Sequence, residues 1–228
     1  MGPFIDSHVA RGKWCAMGGA VAADMLEWFR REFAFEEKQR AAAEGGADWS
    51  YLMQAAEASP PGARGAMFLP HFAGSCVPVD SHSLGAFTGL RNIVGKGDML
   101  RAMIEGLDYQ FLQLVRAYAA GLDIRPERFV AIGGAINNPF WMQNKADVVG
   151  KPIEVPELDE AVPLGAAILA GIGTGVYRDA ADAFARVYRP GRTYEPKAEL
   201  VEKYAAWYDI WEQLYPSLRE VNAALHTQ

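Results

Sequence analysis

The chain has 228 residues, half of them apolar and 22% charged, with 22 basic against 28 acidic side chains and a net charge of −6. That composition excludes a largely disordered chain, and no apolar run approaches the roughly 18 residues of a helical membrane span. The acidic balance argues against a bulk electrostatic grip on nucleic acid. Two cysteines, Cys15 and Cys76, are too few to staple a chain this long, so a reducing cytoplasm is the expected compartment. The first residues, with Asp6 and His8, offer no apolar stretch of the kind a secretory signal needs.

Trp14–Met17 is a short apolar run that reads as a strand. Ala20–Glu32 follows as a helix, with Val21, Met25, Trp28 and Phe29 at helical spacing. Ala41–Gly46 (AAAEGG) and Ser59-Pro60-Pro61-Gly62 read as loop punctuation on either side of a short helix, Ser50–Glu57. Met67–Phe72 and Gly85–Leu90 read as strands, the first weakened by Pro70. Asp98–Ala120 gives the clearest helical pattern: Leu100, Ile104, Leu107, Phe111, Leu114 and Tyr118 trace one face. Asp98 is the expected cap and Gly121 the expected left-handed stop.

Arg128–Ile132 is an apolar strand running into Gly133-Gly134. Asn138-Pro139 opens a helix that ends at Gly150. Pro152–Val155 is a strand, Pro163–Gly171 an Ala- and Gly-rich helix, and Asp179–Tyr188 a shorter one. Glu199–Leu225 reads as one long helix whose stripe Tyr204, Trp207, Tyr208, Trp211 and Tyr215 is most simply a packing face. The alternation of helix and strand from residue 98 to 172 predicts an α/β domain with parallel strands. Sites in such sheets lie beyond the carboxyl ends of the strands, so the loop after residue 132 is the first place to look.

Two glycines after a buried strand permit turns and close approaches that a side chain would block. The helix behind them offers backbone N–H groups and a partial positive charge. A base or a phosphate could sit there; a plain turn and a plain helix cap account for the same residues.

Gly133-Gly134-Ala135 through Gln143, Ala146–Ile153, and Glu160 with Leu164–Ala170 together resemble the FGGY carbohydrate kinases, which include xylulose, ribulose, glycerol and erythritol kinases. Phe68–Gly74 and Gly85–Leu90 are similar to that family's LPYLxGERxP…GxFxGL stretch, and Lys13-Trp14 and Trp28-Phe29-Arg30 fall in register. The resemblance is to the C-terminal half of the family. It implies a ribonuclease H-like, actin-type ATPase domain with C-terminal helices, residues 1–228 forming one domain and the sugar-binding N-terminal domain lying elsewhere. It implies ATP and Mg²⁺ as cofactors, with the γ-phosphate passing to a hydroxyl of a sugar or polyol. A pentulose such as xylulose is favoured by the Pro-x-Trp ending of Gly133–Trp141. Gly134 and Asn138 match positions that contact adenosine, and Gly133 lines the same turn. Ala23 and Glu27 match a Gly and a Gln that approach the nucleotide in the glycerol kinase branch.

The resemblance also locates departures. The family's catalytic aspartate and its Gly-Thr phosphate loop fall upstream of Met1, so no catalytic residue is assigned in this chain. Glu27 would repel phosphates unless a cation intervened, and is expected to face solvent or the ribose. Ser75-Cys76 and Ser83-Leu84 stand where the family has Glu-Arg and Ala-Arg. Cys76 reads as a packing residue, and His71 and His82 lack metal-ligand spacing. The family's first two core strands precede Trp14, so strand 14–17 is expected to lack neighbours and to favour a homodimer. A noncatalytic interaction module, or a truncated product completed by a partner, is the alternative.

Overall fold

The computed structural model describes residues 4–10, 12–19, 22–158 and 160–226. The expected helix start at Ala20, with Val21, lies outside them. Strands β1 (Phe4–Ser7) and β2 (Trp14–Met17) form an antiparallel hairpin that pairs Phe4 with Met17 and Ser7 with Trp14. The expectation that 14–17 lacks neighbours is thus corrected on one side, where β1 supplies the partner. Trp14 is still 74% exposed.

Helices α1 (Ala23–Phe33), α2 (Phe35–Glu44) and α3 (Asp48–Ala58) follow. The supposed loop at Ala41 is instead the last turn of α2. Alanine and glutamate are strong helix formers, and the chain breaks only at Gly45 (φ +83°). β3 (Met67–Leu69) ends before Pro70, and β4 (Ser75–Cys76) pairs antiparallel with β5 (Val79–Asp80). β6 (Ala86–Thr88) pairs antiparallel with β3.

Helix α4 spans Lys96–Leu122. Asp98 does not occupy the cap position: it is the third helical residue, and its carboxylate reaches back to accept from the Gly95 N–H at 2.9 Å. The stop is Asp123 in the left-handed conformation (φ +53°), and Gly121 remains helical. An aspartate tolerates that conformation better than most residues, which is why the signal is not confined to glycine.

Beyond α4 come β7 (Phe129–Val130), a 3₁₀ turn (Gly134–Asn137), α5 (Pro139–Val149), β8 (Ile153–Val155), α6 (Ala161–Gly173), α7 (Ala180–Val187) and β9 (Arg192–Tyr194). β7 and β8 are parallel, joined across α5 as expected, whereas β9 runs antiparallel to β8. The sheet is therefore mixed. The long C-terminal helix is two helices, α8 (Ala198–Trp211) and α9 (Leu214–His226). Pro216 has no N–H to return to residue 212, so it is tolerated only in a first turn, and the helix restarts there.

The core forms around α4. Met25 and Phe29 of α1, Leu52 and Ala56 of α3, and Phe68 of β3 are buried against Leu100, Met103 and Ile104. Tyr204, Tyr208 and Trp211 of α8 are buried against Leu69, Tyr109 and Leu112, so the aromatic stripe is a packing face. The Trp211 indole N–H also donates to the Phe68 carbonyl at 2.7 Å. A third cluster joins Met142 and Ala146 of α5 to Ile153 and Tyr194. Cys76 is buried and its thiol is pushed up by desolvation, as a packing residue's should be. Helix α6 is the exception to this packing: it carries no charged residue and buries none, and Val162 is 81% exposed. No helix is long and apolar enough to cross a membrane among the described residues.

Candidate functional site

The turn after β7 uses its two glycines differently. Gly133 has φ +88°, which an L side chain rarely adopts. Gly134 needs no such angle, and a Cβ placed on it would meet nothing within 4 Å. One glycine therefore makes the turn and the other leaves open space. Asn138 then caps α5: its Oδ1 accepts from the Trp141 N–H at 3.1 Å, with Pro139 in the first helical position.

That open space belongs to a cavity of about 950 Å³, within the usual range for small-molecule sites. Gly134 and Asn138 line it, and across from them so do Ala23 and Glu27 of α1. Four residues expected from sequence, from two places more than a hundred positions apart, thus share one cavity. Gly133 is not among the lining residues and acts through the backbone turn. The third wall was not foreseen. It is α3, with Trp49, Ser50, Met53, Gln54 and Glu57 at helical spacing; the 3₁₀ turn adds Asn137, and the start of α5 adds Phe140 and Trp141. The period of α3 shows that these residues share a face. Nothing in the period tells a face on a cavity from a face on solvent.

Arg30 ties two walls together. Its Nη1 donates to both Glu27 oxygens at 2.8 and 3.0 Å, and its Nε donates to Asp48 Oδ2 at 2.8 Å. Burial would raise the Asp48 carboxyl, but the Arg30 bond prevails and holds it below the usual range. Glu27 itself is exposed at the cavity wall, in keeping with a side chain facing solvent or a ribose, and it is charge-paired to Arg30. Among the described residues no lysine or arginine lines the cavity, whereas Asp24, Glu27 and Glu57 do. Of these Glu27 is already paired with Arg30, and Trp49, Phe140 and Trp141 supply aromatic surface. Among the described residues no cluster of three or more His, Cys, Asp or Glu side chains could hold a metal ion.

Behind the α5 wall lies a buried polar network on one face of α4. Arg101 Nε donates to Glu105 Oε1 at 2.8 Å, and Glu105 also accepts from the Gly62 N–H at 3.0 Å. The Arg101 guanidinium sits 5.0 Å from the Phe140 ring centre. Two turns on, fully buried Asp108 accepts from Trp141 Nε1 (3.0 Å), Lys145 Nζ (2.6 Å) and Asn144 Nδ2 (2.8 Å). Burial pushes both carboxyls up; Arg101 and Lys145 oppose that rise. Tyr204 joins the two halves, its hydroxyl 2.8 Å from Glu105 Oε1 and 2.6 Å from Asn144 Oδ1.

The chain is similar to known proteins over nearly its whole length. It is 28% identical over 222 residues to the xylulose kinase of Bacillus subtilis (strain 168), covering 96% of this chain and 42% of that protein. It is 32% identical over 197 residues to the glycerol kinase of Symbiobacterium thermophilum, covering 84% of this chain and 36% of that one. The crystal structure of xylulose kinase from Rhodospirillum rubrum superposes with a TM-score of 0.81 at 28% identity, covering 96% of this chain and 43% of that chain. The chain thus spans about two fifths of the length of these relatives. Residues 1–174 match the family described as "FGGY family of carbohydrate kinases, C-terminal domain". With that match spanning the hairpin, the cavity and α6, the chain belongs to the FGGY family of carbohydrate kinases and corresponds to its C-terminal domain.

Proposed function

We propose that the cavity between α1, α3 and the start of α5 holds the nucleoside end of ATP or ADP. The observation that carries this reading is the convergence of Ala23 and Glu27 with Gly134 and Asn138 on one space. The residues present fit a nucleoside: aromatic surface on two walls, Ser50, Gln54 and Asn137 as polar contacts, and a volume suited to a base and ribose. Asp24 and Glu57 in the lining support a polarity of binding in which the phosphates are directed out of the cavity. Mg²⁺ would neutralise those phosphates there, and no residue of this chain is assigned to it.

In this reading residues 1–228 act as one actin-type ATPase domain of a cytoplasmic kinase. The ATP γ-phosphate passes to a hydroxyl of a sugar or polyol, a pentulose such as xylulose being favoured. Two relatives that align with 96% of the chain are named xylulose kinases, which supports that preference. The sugar is held by a domain outside this chain, and the base that takes the hydroxyl proton is not assigned to any residue here.

The test is ligand-observed NMR with ADP on the wild type and on Gly134→Val. ADP should bind the wild type and should lose most of its affinity for the variant, because the valine fills open space. Equal binding would place the nucleotide elsewhere. A second reading, association with another copy or a partner, is favoured by α6, an apolar helix that buries none of its residues.

A further inference from the structure

The aromatic residues that begin α5 lie on the cavity wall, yet the groups that fix them lie behind it. Trp141, Asn144 and Lys145 stand at i, i+3 and i+4, so their side chains leave α5 on one face. All three donate to the single carboxylate of Asp108. The Trp141 backbone is meanwhile held by Asn138, whose cap closes the first turn. Trp141 is thus pinned twice: by its N–H on the cavity side and by its indole N–H on the core side.

We propose that Asp108 is a positioning residue for the nucleoside cavity, acting through the Trp141 indole. It rests on the reading of the cavity as the nucleoside site. Asp108 is fully buried and is not among the cavity-lining residues, so it touches no ligand. Its hydrogen bond selects one orientation of an indole that forms part of the wall. Trp141 also packs against the core clusters around α4 and α5, so loss of that acceptor removes the polar part of its hold and widens the range of orientations the ring takes beside the cavity. Lys145 balances the charge, which lets a carboxylate serve as acceptor in the core.

The experiment removes the acceptor without leaving a buried unpaired charge. Asp108→Leu/Lys145→Met deletes the ion pair and the acceptor together. Asp108→Asn/Lys145→Met deletes the pair but keeps an amide oxygen for Trp141. Trp141→Phe, which keeps a six-membered ring and removes the donor together with the five-membered one, serves if the Leu/Met chain does not fold. Two quantities are measured on each: amide hydrogen exchange over residues 138–142 without ligand, and the ADP dissociation constant.

Exchange should speed up in the Leu/Met variant and stay near wild type in the Asn/Met variant. ADP should bind about tenfold more weakly to Leu/Met and to Trp141→Phe, as expected for a lost charge-assisted hydrogen bond, with Asn/Met restoring most of the affinity. A merely structural role predicts that the two double variants behave alike in both measurements, and that result overturns the proposal. If exchange separates the two variants while the wild type binds no ADP, the hold of Asp108 on the turn is upheld and the nucleoside reading fails instead.

Discussion

Trp141 donates its backbone N–H to Asn138 Oδ1 across 3.1 Å, closing the first turn of α5 at the edge of the cavity. This one bond makes Asn138 both a helix cap and a cavity residue. Asn138→Ala should lower stability by about 1 kcal/mol, the usual cost of a lost cap, and should weaken ADP binding as well. Asn138→Asp should keep the cap, so thermal melts of the two variants separate capping from binding. An alanine variant as stable as wild type would show that the cap carries no weight.

The neighbouring glycines should respond in opposite ways. Gly133→Ala places a Cβ at φ +88°, and the strain should cost about 1 kcal/mol although no atom lies in its way. Gly134→Val meets open space and needs no unusual angle, so its melting temperature should stay near wild type while ADP affinity falls. Paired melts and ADP titrations check both. A destabilised Gly134→Val with normal affinity would reverse the roles assigned to the two positions.

His71 should make stability fall in mild acid. Its ring is buried, with Nδ1 2.7 Å from the Ser83 hydroxyl, Nε2 without a partner and the Tyr215 ring 6.0 Å away. Desolvation lowers its pKa to about 4, against a weaker opposing pull from Asp80. The unfolded chain, near 6.5, therefore takes up the proton first as pH falls. The contribution is intact above about pH 6.5 and is lost between there and 4, a span of about 3 kcal/mol. His71→Asn should flatten that part of the profile in denaturant titrations at pH 7, 5.5 and 4.5. A variant with the same slope as wild type would assign the acid sensitivity to other groups.

Helix α6 should drive self-association or partner capture. The chain exposes 13,113 Å², whereas a compact chain of its mass is expected to expose about 10,200 Å². Val162 and Leu169 of this helix are exposed, whereas an all-apolar helix is ordinarily buried. Val162→Lys/Leu169→Lys should shift the sedimentation profile toward monomer and reduce binding of a hydrophobic dye. Wild type that sediments as a clean monomer at high concentration would count against association through this helix.

The sequence by itself determined the elements whose local chemistry is strong. The period of α4, the Asn138-Pro139 start and Gly150 stop of α5, and the glycines after β7 all rest on residues within a few positions of one another. The cap of α4 is not legible at one position, because the Asp98 carboxylate accepts from the Gly95 N–H three residues earlier, an arrangement that a single-residue rule does not see. The C-terminal helix was misread because Pro216 is compatible with both a first turn and a break, and its aromatic period continues across the gap. Only the tertiary structure decided that α3 forms a cavity wall, that Arg30 ties α1 to Asp48 of α3, and that Asp108 gathers three donors from α5. The Asp108 bonds reach up to 37 positions along the chain, and the cavity walls join residues still farther apart, on helices whose packing against α4 sets the distances. A side-chain period shows which residues share a face, but the packing of other helices determines what that face meets.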